Sequence, residues 1–188
     1  MRWLMLLILD ILMFILAMLL APILPLFAVG KEQLPDWLSY FAAEDNPLDG
    51  DVGYITLHAP FKGYSATGIK RYINRVWWLV RNPGYGFSYQ VLGAQINSQP
   101  LVVSGDPYVS DSPNLTIGRT RGLSGHVLLR SGKFFEFYLV RQYGSSGRCF
   151  RLRVGWKMLG FLNEPGQWPL GGKAQFVIGI KPLGRFQR

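Results

Sequence analysis

The chain has 188 residues, 49% hydrophobic and only 16% charged, with a formal net charge of +9. With a membrane segment of about 25 residues set aside, this length holds one domain of ordinary size, which speaks against a two-domain reading. Beyond residue 30 no apolar run approaches the roughly 18 residues of a second span, and the one cysteine, Cys149, excludes an intramolecular disulfide and a cysteine-based zinc site.

From Trp3 to Ala21 the sequence reads WLMLLILDILMFILAMLLA, nineteen residues with the single charge Asp10. As a helix this run is roughly 28 Å long, which predicts a transmembrane anchor over residues 1–30. Pro22 and Pro25 end or kink it at the interface. A cleaved signal peptide would have a shorter apolar region and a small-x-small site; Leu26-Phe27-Ala28 is a poor one. No cysteine near the end of the run supports a lipoprotein anchor. A carboxylate at membrane depth is costly, so Asp10 either meets a partner helix or snorkels toward the N-terminal interface. Arg2 and Lys31 nearly balance under the positive-inside rule, with a slight tilt toward an inside N-terminus and an outside domain.

Residues 31–51 carry one Lys and six acids, a net −5, whereas residues 52–188 carry eighteen Lys/Arg and four acids, a net +14. The first stretch reads as an acidic connector with a short helix from Pro35 to about Glu44, on which Trp37, Leu38 and Phe41 form an apolar stripe. That helix either lies along the bilayer or opens the domain. Glu44, Asp45, Asp49 and Asp51 gather around two turns, a donor set that suits Ca²⁺ or Mg²⁺. Their spacing is not that of an EF-hand, and Asx-turns explain the same residues without metal.

Residues 52–188 read as one basic, β-rich domain. Its cations attract lipid headgroups, nucleic acid or an acidic partner, or keep a Trp- and Phe-rich body soluble. In ATGIKRYINRVWWLVRN, residues 66–82, Ile69, Tyr72, Ile73, Val76 and Val80 recur at helical spacing, opposite Lys70, Arg71, Arg75, Trp78 and Arg81. Thr67 suits its start and Asn82-Pro83-Gly84 its stop. A cationic face bearing Trp suits an anionic membrane surface, and less well a nucleic-acid backbone.

Strands are expected at 52–58, 85–96, 101–103, 125–130, 133–143, 148–157 and 174–180, with a loop over 104–114. In RCFRLRVGWK, Phe150, Leu152, Val154 and Trp156 alternate with Cys149, Arg151, Arg153, Gly155 and Lys157. The fold class is therefore α+β: an N-terminal transmembrane helix followed by a mainly antiparallel β domain, with the 66–82 helix packed across the sheet. Arg71, Arg75, Trp78, Arg81, Arg151 and Arg153 are the candidate anion-binding surface.

Catalytic signals are weak. His58 and His126 are isolated and suit a strand edge or the core, and no HExxH, GxSxG, Walker or Rossmann pattern is present. Cys149 stands among arginines that would make its thiol reactive, without a neighbouring base. Asn114-Leu115-Thr116 fits a glycosylation sequon.

The combination of LPDWLSYF, DNPLDGD, RYINRVWWLVRNPGYGF, GWKMLG and AQFV over residues 34–183 resembles an uncharacterised family of small proteins of tailed bacteriophages and prophages. The resemblance implies a viral origin and a bacterial host membrane, lends no catalytic residue and makes glycosylation irrelevant. The function expected is that of an accessory protein of the host inner membrane, acting by binding a host or phage protein or the lipid surface. The alternatives are a metal-dependent hydrolase built on Asp45, Asp49 and Asp51, and a virion component delivered with the genome.

Overall fold

A computed structural model describes residues 2–28, 32–43, 46–96, 101–113, 120–163 and 172–187. The architecture is α+β, and the chain divides into two compact units, Met1–Leu92 and Gly93–Arg188. The acidic connector and the basic helix thus share the first unit. The sheet has the second.

In the first unit, α1 (Arg2–Leu20) is followed by 3₁₀ turns at Leu24–Ala28 and Asp36–Phe41, a π turn at Tyr54–His58, then α2 (Gly68–Arg81) and α3 (Tyr85–Gln90). A narrow stripe of α1 packs inward. Ala17 and Ala21 are buried on it, with Asp10 and Met13 half-buried at the same helical spacing. Ala21, Leu24 and Ala28 join Leu34, Leu38, Leu48 and Leu79 in one core cluster. Ala43, Tyr54, Ala59 and Trp78 form another. The rest of α1 faces outward, with Met5 65% and Leu19 71% exposed.

Gly84 turns the chain between α2 and α3 with φ +64°, a left-handed conformation that favours glycine. It also lies against α1: a Cβ there would stand 3.2 Å from Met13 Cγ. Two segments expected to be strands are helical for local reasons. Asp51 Oδ1 accepts a hydrogen bond from Tyr54 N at 2.6 Å, starting the turn at 54–58. The Gly84 turn starts α3, so that only Ala94–Gln95 of the 85–96 segment is a strand.

The second unit contains β1 (Ala94–Gln95), β2 (Val102–Gly105), β3 (Gly125–Ser131), β4 (Phe134–Gln142), β5 (Arg148–Trp156), α4 (Leu159–Asn163), β6 (Lys173–Ala174) and β7 (Phe176–Arg185). β1 pairs with β6, and an antiparallel five-stranded sheet runs in the order β2-β3-β4-β5-β7. The Ser131-Gly132 and 144–147 turns join β3, β4 and β5 as a meander, as their glycines predict. α2 takes its buried contacts within the first unit, where Trp78 packs on Tyr54 at 5.0 Å between ring centroids.

The sheet is oriented opposite to simple expectation. Val127, Leu129, Glu136, Tyr138, Val140 and Cys149 are buried on one face. Leu128, Phe137, Leu139, Leu152, Val154 and Ile178 lie half-exposed on the other. Arg151 and Arg153 belong to the first face, opposite Val140 and Tyr138 in register. Gly155, with φ +112°, sits beside them; a Cβ at this position would be 2.0 Å from the Phe135 carbonyl oxygen.

Candidate functional site

The inward face of α2 carries Asn74 and Arg75 beside the apolar Trp78 and Leu79. Asp49, brought over the helix by the turn at residues 47–50, accepts from Arg75 Nε at 2.6 Å and from Arg71 Nε at 2.9 and 3.0 Å. Glu32 adds a looser contact to Arg71 at 3.6 Å. Asn74, one turn from Arg71, closes onto the Phe61 backbone: it accepts from Phe61 N at 3.0 Å and donates to Phe61 O at 2.7 Å. Its own carbonyl accepts the Tyr54 hydroxyl at 2.5 Å. Burial pushes the Tyr54 phenol up to about 12, against the opposing charge of Arg81. Burial raises the Asp49 carboxyl too, but the hydrogen bonds and charges of Arg71 and Arg75 together outweigh it and hold the group below the usual carboxylate range.

This geometry revises the expected anion-binding surface. Arg75 is 8% and Trp78 4% exposed, and Arg71 is engaged by Asp49. Arg81 alone of the four α2 residues is exposed without an ion pair among the described residues. On the sheet, Arg151 pairs with Asp111 at 2.7 Å and Arg153 with the fully buried Glu136. Glu136 also accepts from the backbone of Met158 and, at 2.6 Å, of Leu159, fixing the entry to α4. The acids act as internal counterions. They cancel the very arginines that a surface reading would present to a ligand.

The expected cation loop is revised by the same contacts. Asp49 is committed to two arginines and Asp51 to a backbone amide, while Asp45 and Glu44 lie outside the described residues. Among the described residues no group of three His, Cys, Asp or Glu side chains converges as a metal site. A cleft of about 840 Å³ beside the connector is lined by Glu32, Asp36, Ser39, Asn46, Leu48 and Gln90, with Ser39 Oγ donating to Gln90 Oε1 at 3.3 Å.

Asp10 has a partner within its own unit: Ser88 Oγ on α3 donates to Asp10 Oδ1 at 2.6 Å and approaches Gly84 O at 3.1 Å. Trp3 is half-buried, and Ala21 closes the inward stripe. Cys149 is fully buried, and its thiol is pushed up by burial and by Asp111, more than Arg151 lowers it, so it is not the reactive thiolate its neighbours suggested. His58 and His126 are both exposed rather than in the core. The sequon falls at residues 114–116, outside the described residues.

With the site reduced to ion pairs and exposed apolar faces, comparison with known proteins gives one match, a family of unknown function that covers residues 1–187. The chain belongs to that family, DUF7338. No curated protein and no solved structure matches it. Membership in DUF7338 agrees with the resemblance to an uncharacterised family and assigns no activity to any residue. Arg130 is one exposed cation that sequence reasoning passed over, and Arg141, which it placed beside Arg151 and Arg153, stands on the opposite face of the sheet from them.

Proposed function

We propose that the protein is a membrane-anchored accessory protein that acts by binding rather than by catalysis. The observation that supports this reading is α1, a helix long and apolar enough to cross a bilayer, whose window over Trp3–Leu20 is only 6% buried by the rest of the chain. A core helix of that length would bury most of its apolar side chains; this one offers them to a surrounding apolar medium. A phage origin would make that medium the host inner membrane, with the N-terminus inside and the sheet unit periplasmic. Asp49 is engaged by two arginines and Asp51 by a backbone amide, which favours binding over the hydrolase alternative.

Alkaline carbonate extraction of membranes from expressing cells tests the anchor. The full chain is expected to stay in the pellet, while Leu12→Lys with Ile15→Lys releases it. Recovery of the unaltered chain in the soluble fraction refutes the reading. An affinity pull-down from membranes, with α1 intact, then identifies what is bound.

A further inference from the structure

The outward face of the five-stranded sheet is apolar where a soluble sheet would be polar. Two rows cross it in register: Ser104, Leu128, Phe137, Val154 and Ile178, then His126, Leu139, Leu152 and Ile180, apolar but for Ser104 and His126 at one edge. All are half-exposed or exposed, and Ile180 reaches 62%. Cations stand at both ends. Arg130 lies opposite Phe135 and Arg141 opposite Phe150, each exposed on this same face. From the strand rise between residues 135 and 141 they are about 20 Å apart.

The described carboxylates of this unit lie on the other side. Glu136 is buried there, Asp111 is held by Arg151, and the Asp106 Cβ sits 3.9 Å from where a Gly125 Cβ would point, on the inward face. The outward face therefore combines an apolar centre with a cation at each end and shows no described acid; beyond Arg130 its row is closed over at Trp156 and Phe176, which are buried.

We infer that this face docks onto the surface of an anionic phospholipid bilayer, as a second membrane contact beside α1. Arg130 and Arg141 meet headgroup phosphates, and the aliphatic rows enter the boundary between headgroups and acyl chains. Charge complementarity selects this occupant. A second copy would bring a second cationic rim with no acid to receive it. Nucleic acid would satisfy the arginines but leave Leu128, Leu139, Leu152, Val154 and Ile178 facing base edges that need polar partners. The inference deepens the anchoring proposal and rests on it only in that α1 keeps this unit near a bilayer.

The test uses the full chain reconstituted in vesicles of phosphatidylcholine alone or with phosphatidylglycerol. An environment-sensitive fluorophore is attached at Phe137→Cys or Leu152→Cys, with Ser145→Cys as the exposed-turn control and Ile15→Cys reporting α1. Native Cys149 is buried and serves as the unlabelled background. Brominated lipid is expected to quench the probes at 137 and 152 only in the anionic vesicles, to quench position 15 in both, and to spare position 145. Arg130→Glu with Arg141→Glu, which leaves the apolar rows intact, should shift the docked fraction by roughly fivefold for each cation lost. Circular dichroism confirms that the variant folds.

Quenching at 15 but not at 137 or 152 overturns the inference while sparing the anchor. Quenching at 137 and 152 without 15 supports it at the anchor's expense, and no quenching at any position removes both. Equal quenching in neutral lipid, energy transfer between labelled copies in place of quenching, or displacement from anionic vesicles by an oligonucleotide would each overturn it as well.

Discussion

Asp49 carries weight in the first unit because it pairs with the buried guanidinium of Arg75 as well as with Arg71. Replacing it by Asn removes this pairing, which is expected to cost about 2–4 kcal/mol, less than a fully buried pair because Asp49 retains some exposure. Thermal unfolding of the full chain in detergent measures this. Since the folded carboxyl lies below its unfolded value of about 3.9, the unfolded state binds more protons on acidification. The stability due to Asp49 is therefore complete above that value and lost as pH falls through the lower folded value. Wild type and Asp49→Asn should converge in melting temperature on acidification and separate again toward neutrality. A constant gap would mean that the pair does not titrate as the geometry requires. The residue was visible in the sequence as part of an acidic run. Its partners, 22 and 26 positions away, were not, because a local pattern gives composition without saying which loop folds over which helix.

Among the elements, α2 and β5 show what periodicity can and cannot deliver. The helix over 68–81 and the strands from 125 onward follow from spacing and turn residues, and they lie within a few positions of where the pattern puts them. Periodicity sorts residues into two sets but does not say which set faces inward. In β5 Arg151 and Arg153 were expected on an anion-binding surface, yet they lie on the inward face, where Asp111 and Glu136 reach them. In α2, Arg75 turns inward toward Asp49 and Trp78 onto Tyr54, leaving Ile69 and Trp77 exposed. The short helix at 85–90 was hidden because Tyr85, Phe87 and Tyr89 alternate like a strand, and only the turn at Gly84 reveals otherwise. Gly155 tests the sheet as an element. Gly155→Ala must accept a left-handed backbone and a contact with the Phe135 carbonyl, a loss of about 3 kcal/mol. Chemical denaturation followed by Trp156 fluorescence would register it, and an alanine tolerated without loss would show that β4 and β5 are not held in this register.

At the scale of the whole molecule, the first unit includes α1 as a structural member. Asp10→Leu and Ser88→Ala should each destabilise it by about 1 kcal/mol, with the double variant scarcely worse than either single one. The oligomeric state by native mass spectrometry should stay that of the wild type, because the partner of Asp10 lies in the same chain. A changed assembly in Asp10→Leu would place its partner on another copy. The family match covers residues 1–187 and so takes in both units.

The approach of Gly84 to Met13 has a practical corollary for engineering. A generic polyleucine leader spliced in place of α1 would still tether the polypeptide, yet it would present branched bulk where Ala17 and Ala21 leave room and nothing for Ser88 to hold. Such a chimera should reach the membrane with its helical half loosened and open to protease. In this chain the tether is also a wall of the house, and the two roles cannot be exchanged separately.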